Sequence, residues 1–85
     1  MNTLPAYQPP PDAGLRLVFE DESLLVLDKP SGLLSVPGRG PEKADCLASR
    51  VQSRFTDALI VHRLDMETSG LIVMARGAEA QRQLS

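Results

Sequence analysis

Val61-His62-Arg63-Leu64-Asp65-Met66-Glu67-Thr68-Ser69-Gly70 runs directly into Leu71-Ile72-Val73-Met74-Ala75. The second segment is wholly apolar, carries two β-branched residues and is bounded by Gly70 and Arg76-Gly77. That length suits a buried strand and falls short of a typical helix. The first segment places a histidine, an arginine and two acids within six residues and closes on Thr-Ser-Gly, a turn signal. A charged loop delivered to the start of a buried strand is held in place by it, and such loops are where sites tend to lie. If His62-Arg63-Leu64-Asp65 is extended, Arg63 and Asp65 share one face and His62 and Leu64 the other. Leu64 would then anchor the loop in the core, and Arg63 would hold the Asp65 carboxylate in its charged form. By composition alone, an Arg-x-Asp pair is an ordinary surface ion pair and a histidine beside an apolar strand is a structural residue.

Working outward, a second ordered motif lies upstream: Leu27-Asp28-Lys29-Pro30-Ser31-Gly32-Leu33-Leu34-Ser35-Val36-Pro37-Gly38. Together with His62-Arg63-Leu64-Asp65 and Thr68-Ser69-Gly70-Leu71, it resembles the signature of the RluA-type pseudouridine synthases, in the same order and at a similar spacing. The resemblance spans roughly residues 15–84. It implies an α+β fold, part of a mixed, largely antiparallel sheet flanked by helices. Residues 1–14 would be a Pro-rich arm and 15–85 the N-terminal part of the catalytic domain, from the subgroup without an S4 RNA-binding domain. The family's later motifs have no counterpart here, so the chain is expected to be truncated.

The implied reaction converts uridine to pseudouridine in structured RNA. The N1–C1′ glycosidic bond breaks, the uracil turns, and the ring rejoins through C5, with no cofactor and no metal. By its place in the motif, Asp65 would be the catalytic carboxylate, either as nucleophile at C1′ or as base at C2′. The target base must leave its stack. Arg63 would hold RNA around it, and His62 would contact RNA or support the loop. The Ser35-Val36-Pro37-Gly38-Arg39 wording is most similar to members that modify large-subunit ribosomal RNA and a tRNA anticodon arm. A competing reading is a non-catalytic module that binds RNA or self-associates through unpaired strands.

Composition agrees with one small domain. An apolar fraction of 42% excludes disorder throughout. The single cysteine, Cys46, excludes an internal disulfide and fits a reducing compartment. No basic, apolar leader opens the sequence, and no 18-residue apolar run offers a membrane span. A cytoplasmic protein is expected. The net charge of −2 would not by itself suggest RNA. Its distribution says more: residues 1–28 hold five acids against Arg16, whereas residues 29–85 hold eight bases against six acids. Phosphate-binding charge, where there is any, is therefore expected in the later part or in residues missing after Ser85.

In order along the chain, Pro5, Pro9, Pro10 and Pro11 make residues 1–14 an extended arm or a disordered tail. Leu15, Leu17 and Phe19 fall on one face at strand period, and Leu24–Leu27 is an apolar second strand; Asp21-Glu22-Ser23 joins them as a hairpin. The second strand is expected to be the more central. Lys29-Pro30-Ser31-Gly32 turns the chain, and residues 33–36 read as a brief extended segment. Asp45 is a candidate N-cap for a helix with Leu47, Val51 and Phe55 inward. Arg50 and Arg54 share another face, read as solvated, and Cys46 packs as a small apolar residue. A last helix begins at Ala78 and places Ala80 beside Leu84.

Three other chemistries fail on pattern. His62, Asp65 and Ser69 offer the residue types of a hydrolase triad, but without a Gly-x-Ser-x-Gly elbow and all within eight residues. One histidine and one cysteine make a poor metal site. Gly38-Arg39-Gly40 lacks the Lys-Ser/Thr of a phosphate loop.

Overall fold

The computed structural model describes residues 6–85. Four strands, β1 (Leu17–Glu20), β2 (Leu24–Lys29), β3 (Ala58–Ile60) and β4 (Gly70–Arg76), form one sheet in the order β1-β2-β4-β3. Every neighbouring pair is antiparallel. Two helices, α1 (Leu47–Gln52) and α2 (Ala78–Leu84), complete the α+β arrangement expected from the sequence. The all-apolar second strand is central, as its composition requires.

The β1–β2 hairpin turns on Asp21. Its carboxylate accepts from the amides of Ser23 (2.8 Å) and Leu24 (2.9 Å), which hold its pKa below the ordinary carboxylate value. One expectation fails here. Leu17 lies opposite Leu27, but a bulge before Phe19 shifts the register, so Phe19 lies opposite Val26. The extra residue moves Phe19 off the face that Leu17 shares, and it is half exposed. A strict period of two across residues 15–19 does not survive the bulge.

The β2–β4 register separates the two faces of the sheet. Leu25, Leu27, Ile72 and Met74 point to one side and are fully buried against Leu33, Leu47, Ala48 and Val51. The other side carries Val26, Val73 and Leu71, with α2 packed along β4 and β3. Residues 33–36 form no strand: they wrap around the core edge, with Leu33 and Ser35 buried.

The first helix starts one residue later than Asp45 predicts. Cys46 is the N-cap, in a reciprocal arrangement with Ser49: the Ser49 amide donates to Sγ (3.4 Å) and the Cys46 amide to the Ser49 hydroxyl (3.0 Å). Cys46 is also fully buried, so capping and packing use one side chain. Asp45 is drawn away by Arg50, which grips both carboxylate oxygens at 2.8 Å and holds the Asp45 pKa down. The expectation of a solvated arginine pair is therefore corrected at Arg50, while Arg54 is exposed as expected. The Arg50 side chain is only 9% exposed and also donates to the Pro10 carbonyl, while Arg54 lies over the Phe55 ring.

Those bonds define the arm. Residues 6–14 form no helix or strand, yet they are tied to the domain by Arg50 and by the Tyr7 hydroxyl, which donates to the Asp45 carbonyl (2.8 Å) and accepts from the Leu34 amide (3.0 Å). The first five residues of the arm lie outside the described residues.

Burial predicts unequal costs on the two sides of the sheet. Leu27→Ala is expected to cost about 2–5 kcal/mol in chemical denaturation. Phe19→Ser, at the half-exposed bulge, is expected to cost under about 1 kcal/mol. Equal costs would contradict this assignment of faces.

Candidate active site

The loop from His62 to Ser69 has no helix or strand, yet the backbone of Leu64, Met66, Glu67 and Thr68 is held by side chains and amides of the upstream segment. Lys29, the last residue of β2, lies opposite Gly70 in the ladder and is fully buried. Its ammonium donates to three carbonyls: Thr68 (2.7 Å), Pro30 (3.0 Å) and Met66 (3.1 Å). Three protons thus meet three acceptors, which is the condition for burying an ammonium. Burial pulls the Lys29 pKa down, and the nearby Asp65 carboxylate pushes it back up.

The rest of the upstream segment continues the clamp. The Ser31 hydroxyl donates to the Glu67 carbonyl (2.7 Å), and the Gly32 amide to the Met66 carbonyl (2.8 Å). Gly32 has φ of 91°, a left-handed conformation that glycine adopts without strain, in the turn that aims this amide at the loop. Ser35, 3% exposed, donates to the Leu64 carbonyl (2.7 Å) and accepts from the Leu64 amide (3.1 Å). A single hydroxyl satisfies both backbone groups of the residue before Asp65. Leu64 packs against the core, as alternation predicts.

Asp65 opens a turn closed by the Thr68 amide donating to the Asp65 carbonyl (3.0 Å), so its side chain stands at the rim and is exposed. Arg63 is exposed as well, but among the described residues it makes no ion pair with Asp65. The Asp65 carboxylate does act on Lys29, a residue that sequence reading treats only as part of a turn. Its signal was a lysine ending a strand that opens with four apolar residues, where a buried charge is tolerated only if its protons find acceptors.

His62 takes a separate position. Its Nε2 accepts from the Val73 amide at 3.0 Å, beyond the point where β3 has ended its pairing with β4. An accepting Nε2 requires a neutral ring with its proton on Nδ1. The imidazole therefore prolongs the β4 ladder at the entrance to the loop.

A carboxylate on a backbone clamped at several points can be presented reproducibly to a ligand, beside an arginine that has no side-chain partner among the described residues. Among the described residues, no group of three histidine, cysteine or carboxylate side chains could hold a metal ion. The clamp predicts that Lys29→Met strands three acceptors and costs about 1–3 kcal/mol. Hydrogen exchange should then accelerate around Met66–Thr68; unchanged stability and exchange would show that the ammonium does not hold the loop.

Comparison with known proteins matches these same segments. Residues 23–85 fit the family model described as RNA pseudouridylate synthase. The chain is 50% identical over 78 residues to the dual-specificity RNA pseudouridine synthase RluA of Vibrio vulnificus, covering 92% of this chain and 31% of that protein. It is 47% identical over 78 residues to RluA of Escherichia coli K12, covering 92% and 36%. For Yersinia pestis RluA the figure is 53% over 68 residues, covering 80% and 33%. The chain thus spans about a third of the length of these relatives. On both motifs and on the match that contains them, the chain belongs to the RNA pseudouridylate synthase family.

Proposed function

We propose that a polypeptide carrying this chain, together with the further length its relatives have, isomerises uridine to pseudouridine in RNA. Asp65 is the catalytic carboxylate. The observation that carries this reading is the clamp, because Lys29, Ser31, Gly32 and Ser35 converge on the backbone flanking this one exposed aspartate. The reaction breaks N1–C1′ and forms C5–C1′; the C5 proton is lost and N1 gains one, so no redox partner is needed. A fixed carboxylate serves either as nucleophile at C1′ or as base at C2′, and both routes need it held within reach of the ribose. Arg63 stands two residues away with its guanidinium uncommitted, suited to hold RNA around an extruded uridine. His62 acts on the loop from the strand side through Val73.

The substrates we propose are ribosomal RNA and tRNA stem-loops, met in the cytoplasm. The support is the dual specificity in the relatives' names and the Ser35-Val36-Pro37-Gly38-Arg39 wording of the upstream motif. The 85-residue chain alone is proposed to be inactive, since it covers only a third of its relatives. A second reading, self-association, is favoured by one observation. Phe19 (52% exposed) and Leu71 (62% exposed) lie on the same, incompletely covered face of the sheet.

In the full-length polypeptide, Asp65→Asn is expected to abolish pseudouridine formation, read by chemical mapping, while shifting stability by no more than about 0.5 kcal/mol. Appreciable turnover would remove Asp65 from this role. Arg63→Ala is expected to weaken hairpin binding and slow isomerisation with little change in stability, because among the described residues the guanidinium has no partner to lose. Unchanged affinity and rate would return Arg63 to the status of an ordinary surface residue. Sedimentation of the 85-residue chain at several concentrations tests self-association, and a concentration-independent monomer would reject it.

A further inference from the structure

Most cations of the described residues are already engaged. Arg16 pairs with Asp28, Arg50 with Asp45, Arg76 with Asp57 and Glu20, and Arg82 with Glu79. Arg54 lies over Phe55, and Lys29 is consumed by carbonyls. Among the described residues, Arg39, Lys43 and Arg63 remain without an ion pair, a cation–π contact or a side-chain hydrogen bond. Arg63 belongs to the loop already described. Arg39 and Lys43 line one open cavity of about 570 Å³, a size ordinary for a ligand site.

That cavity connects the arm to the Asp65 loop. Tyr7, Leu34 and Met66, the residue after Asp65, all line it. Its charged lining residues are both cations, and Tyr7, Leu34 and Met66 add an apolar and aromatic lining. The arm wall is not loose, because the Tyr7 hydroxyl bonds to both Asp45 and Leu34. A 3-10 turn at Pro41–Lys43 and the Gly38 amide donating to the Lys43 carbonyl (3.0 Å) bring the two cations to one rim.

We infer that this cavity is a subsite for one single-stranded nucleotide flanking the target uridine, with its two phosphates at Arg39 and Lys43 and its base against Leu34, Met66 and Tyr7. The inference rests on the RNA reading above and adds to it a place, outside the catalytic loop, where the strand is gripped. Two uncommitted cations beside an apolar wall suit a phosphodiester chain with an unstacked base, whereas a neutral or cationic ligand would leave both charges unmet.

The test is the salt dependence of binding by the full-length polypeptide to a short RNA hairpin with a loop uridine. For single-stranded contacts, each phosphate neutralised contributes about 0.7 to the slope of log Kobs against log salt. Arg39→Ala and Lys43→Ala are each expected to lower the slope by about 0.7, and the double variant by about 1.4. Arg39→Lys should keep it. Arg82→Ala, which removes a paired cation elsewhere, should leave it unchanged. An abasic scan of the nucleotides beside the uridine should find one position at which base loss weakens binding.

An unchanged slope in the double variant, with the wild type and Asp65→Asn still binding RNA, overturns the subsite and leaves the enzyme reading intact. Absence of any sensitive abasic position overturns the placement of the base. Failure of the wild type to bind RNA at all overturns both readings.

Discussion

A buried ammonium is stable only where its protons are matched, and Lys29 finds its match in the loop that carries Asp65. Two of its three acceptors, the carbonyls of Met66 and Thr68, belong to that loop. The third, Pro30, belongs to the turn that sends Ser31, Gly32 and Ser35 across the same backbone. Without this contact the loop would be an ordinary excursion between β3 and β4. With it, two segments more than thirty residues apart form one unit, and β2 and β4 supply the ladder that keeps them in register. The energetic logic is asymmetric. Forming these bonds contributes modestly, but leaving the ammonium or its acceptors unpaired costs more, so few alternative loop conformations compete.

Charge is divided between work inside the fold and charge left outward. Arg50 and Arg76 are internal fasteners: one ties the arm to α1, the other ties the end of β4 to Asp57 and the β1–β2 turn. Arg39, Lys43 and Arg63 have no such task. A chain with net charge −2 can therefore offer a local cationic surface, because its acids are mostly elsewhere or neutralised in pairs. Acid weakens this arrangement from within. Asp21 and Asp45 both have pKa values lowered on folding, so the stability they contribute is present above the ordinary carboxylate range and lost as pH falls through their depressed values.

Much of the fold was legible from pattern. The five apolar residues at 71–75, the Asp21 turn and the inward set Leu47 and Val51 depend on local chemistry, and each lies where its periodicity puts it. The bulge before Phe19 was not legible, since an extra residue leaves composition unchanged while reversing the face. The helix start moved because Asp45 was claimed by Arg50 and Cys46 could cap with sulfur. Asp65 as an exposed loop carboxylate could be read from alternation, but its environment could not. Arg63 is the nearest cation in sequence, yet it forms no ion pair with Asp65 among the described residues, whereas the Asp65 carboxylate acts on buried Lys29. Long-range hydrogen bonds between a side chain and a carbonyl leave no periodic trace, so Ser35 on Leu64 and His62 on Val73 were equally hidden.

The chain has two lysines, and they make a clean comparison. Lys29 is fully buried with every proton bonded, whereas Lys43 is exposed and its ammonium has no partner among the described residues. The most direct measurement of the clamp is a proton–nitrogen correlation spectrum of the lysine side chains. A persistent Lys29 Nζ signal is predicted, with contacts to Met66 and Thr68, under conditions where the Lys43 signal has exchanged away. Two ammonium groups exchanging with water at the same rate would contradict the account, because the loop would then lack the contact on which its geometry depends.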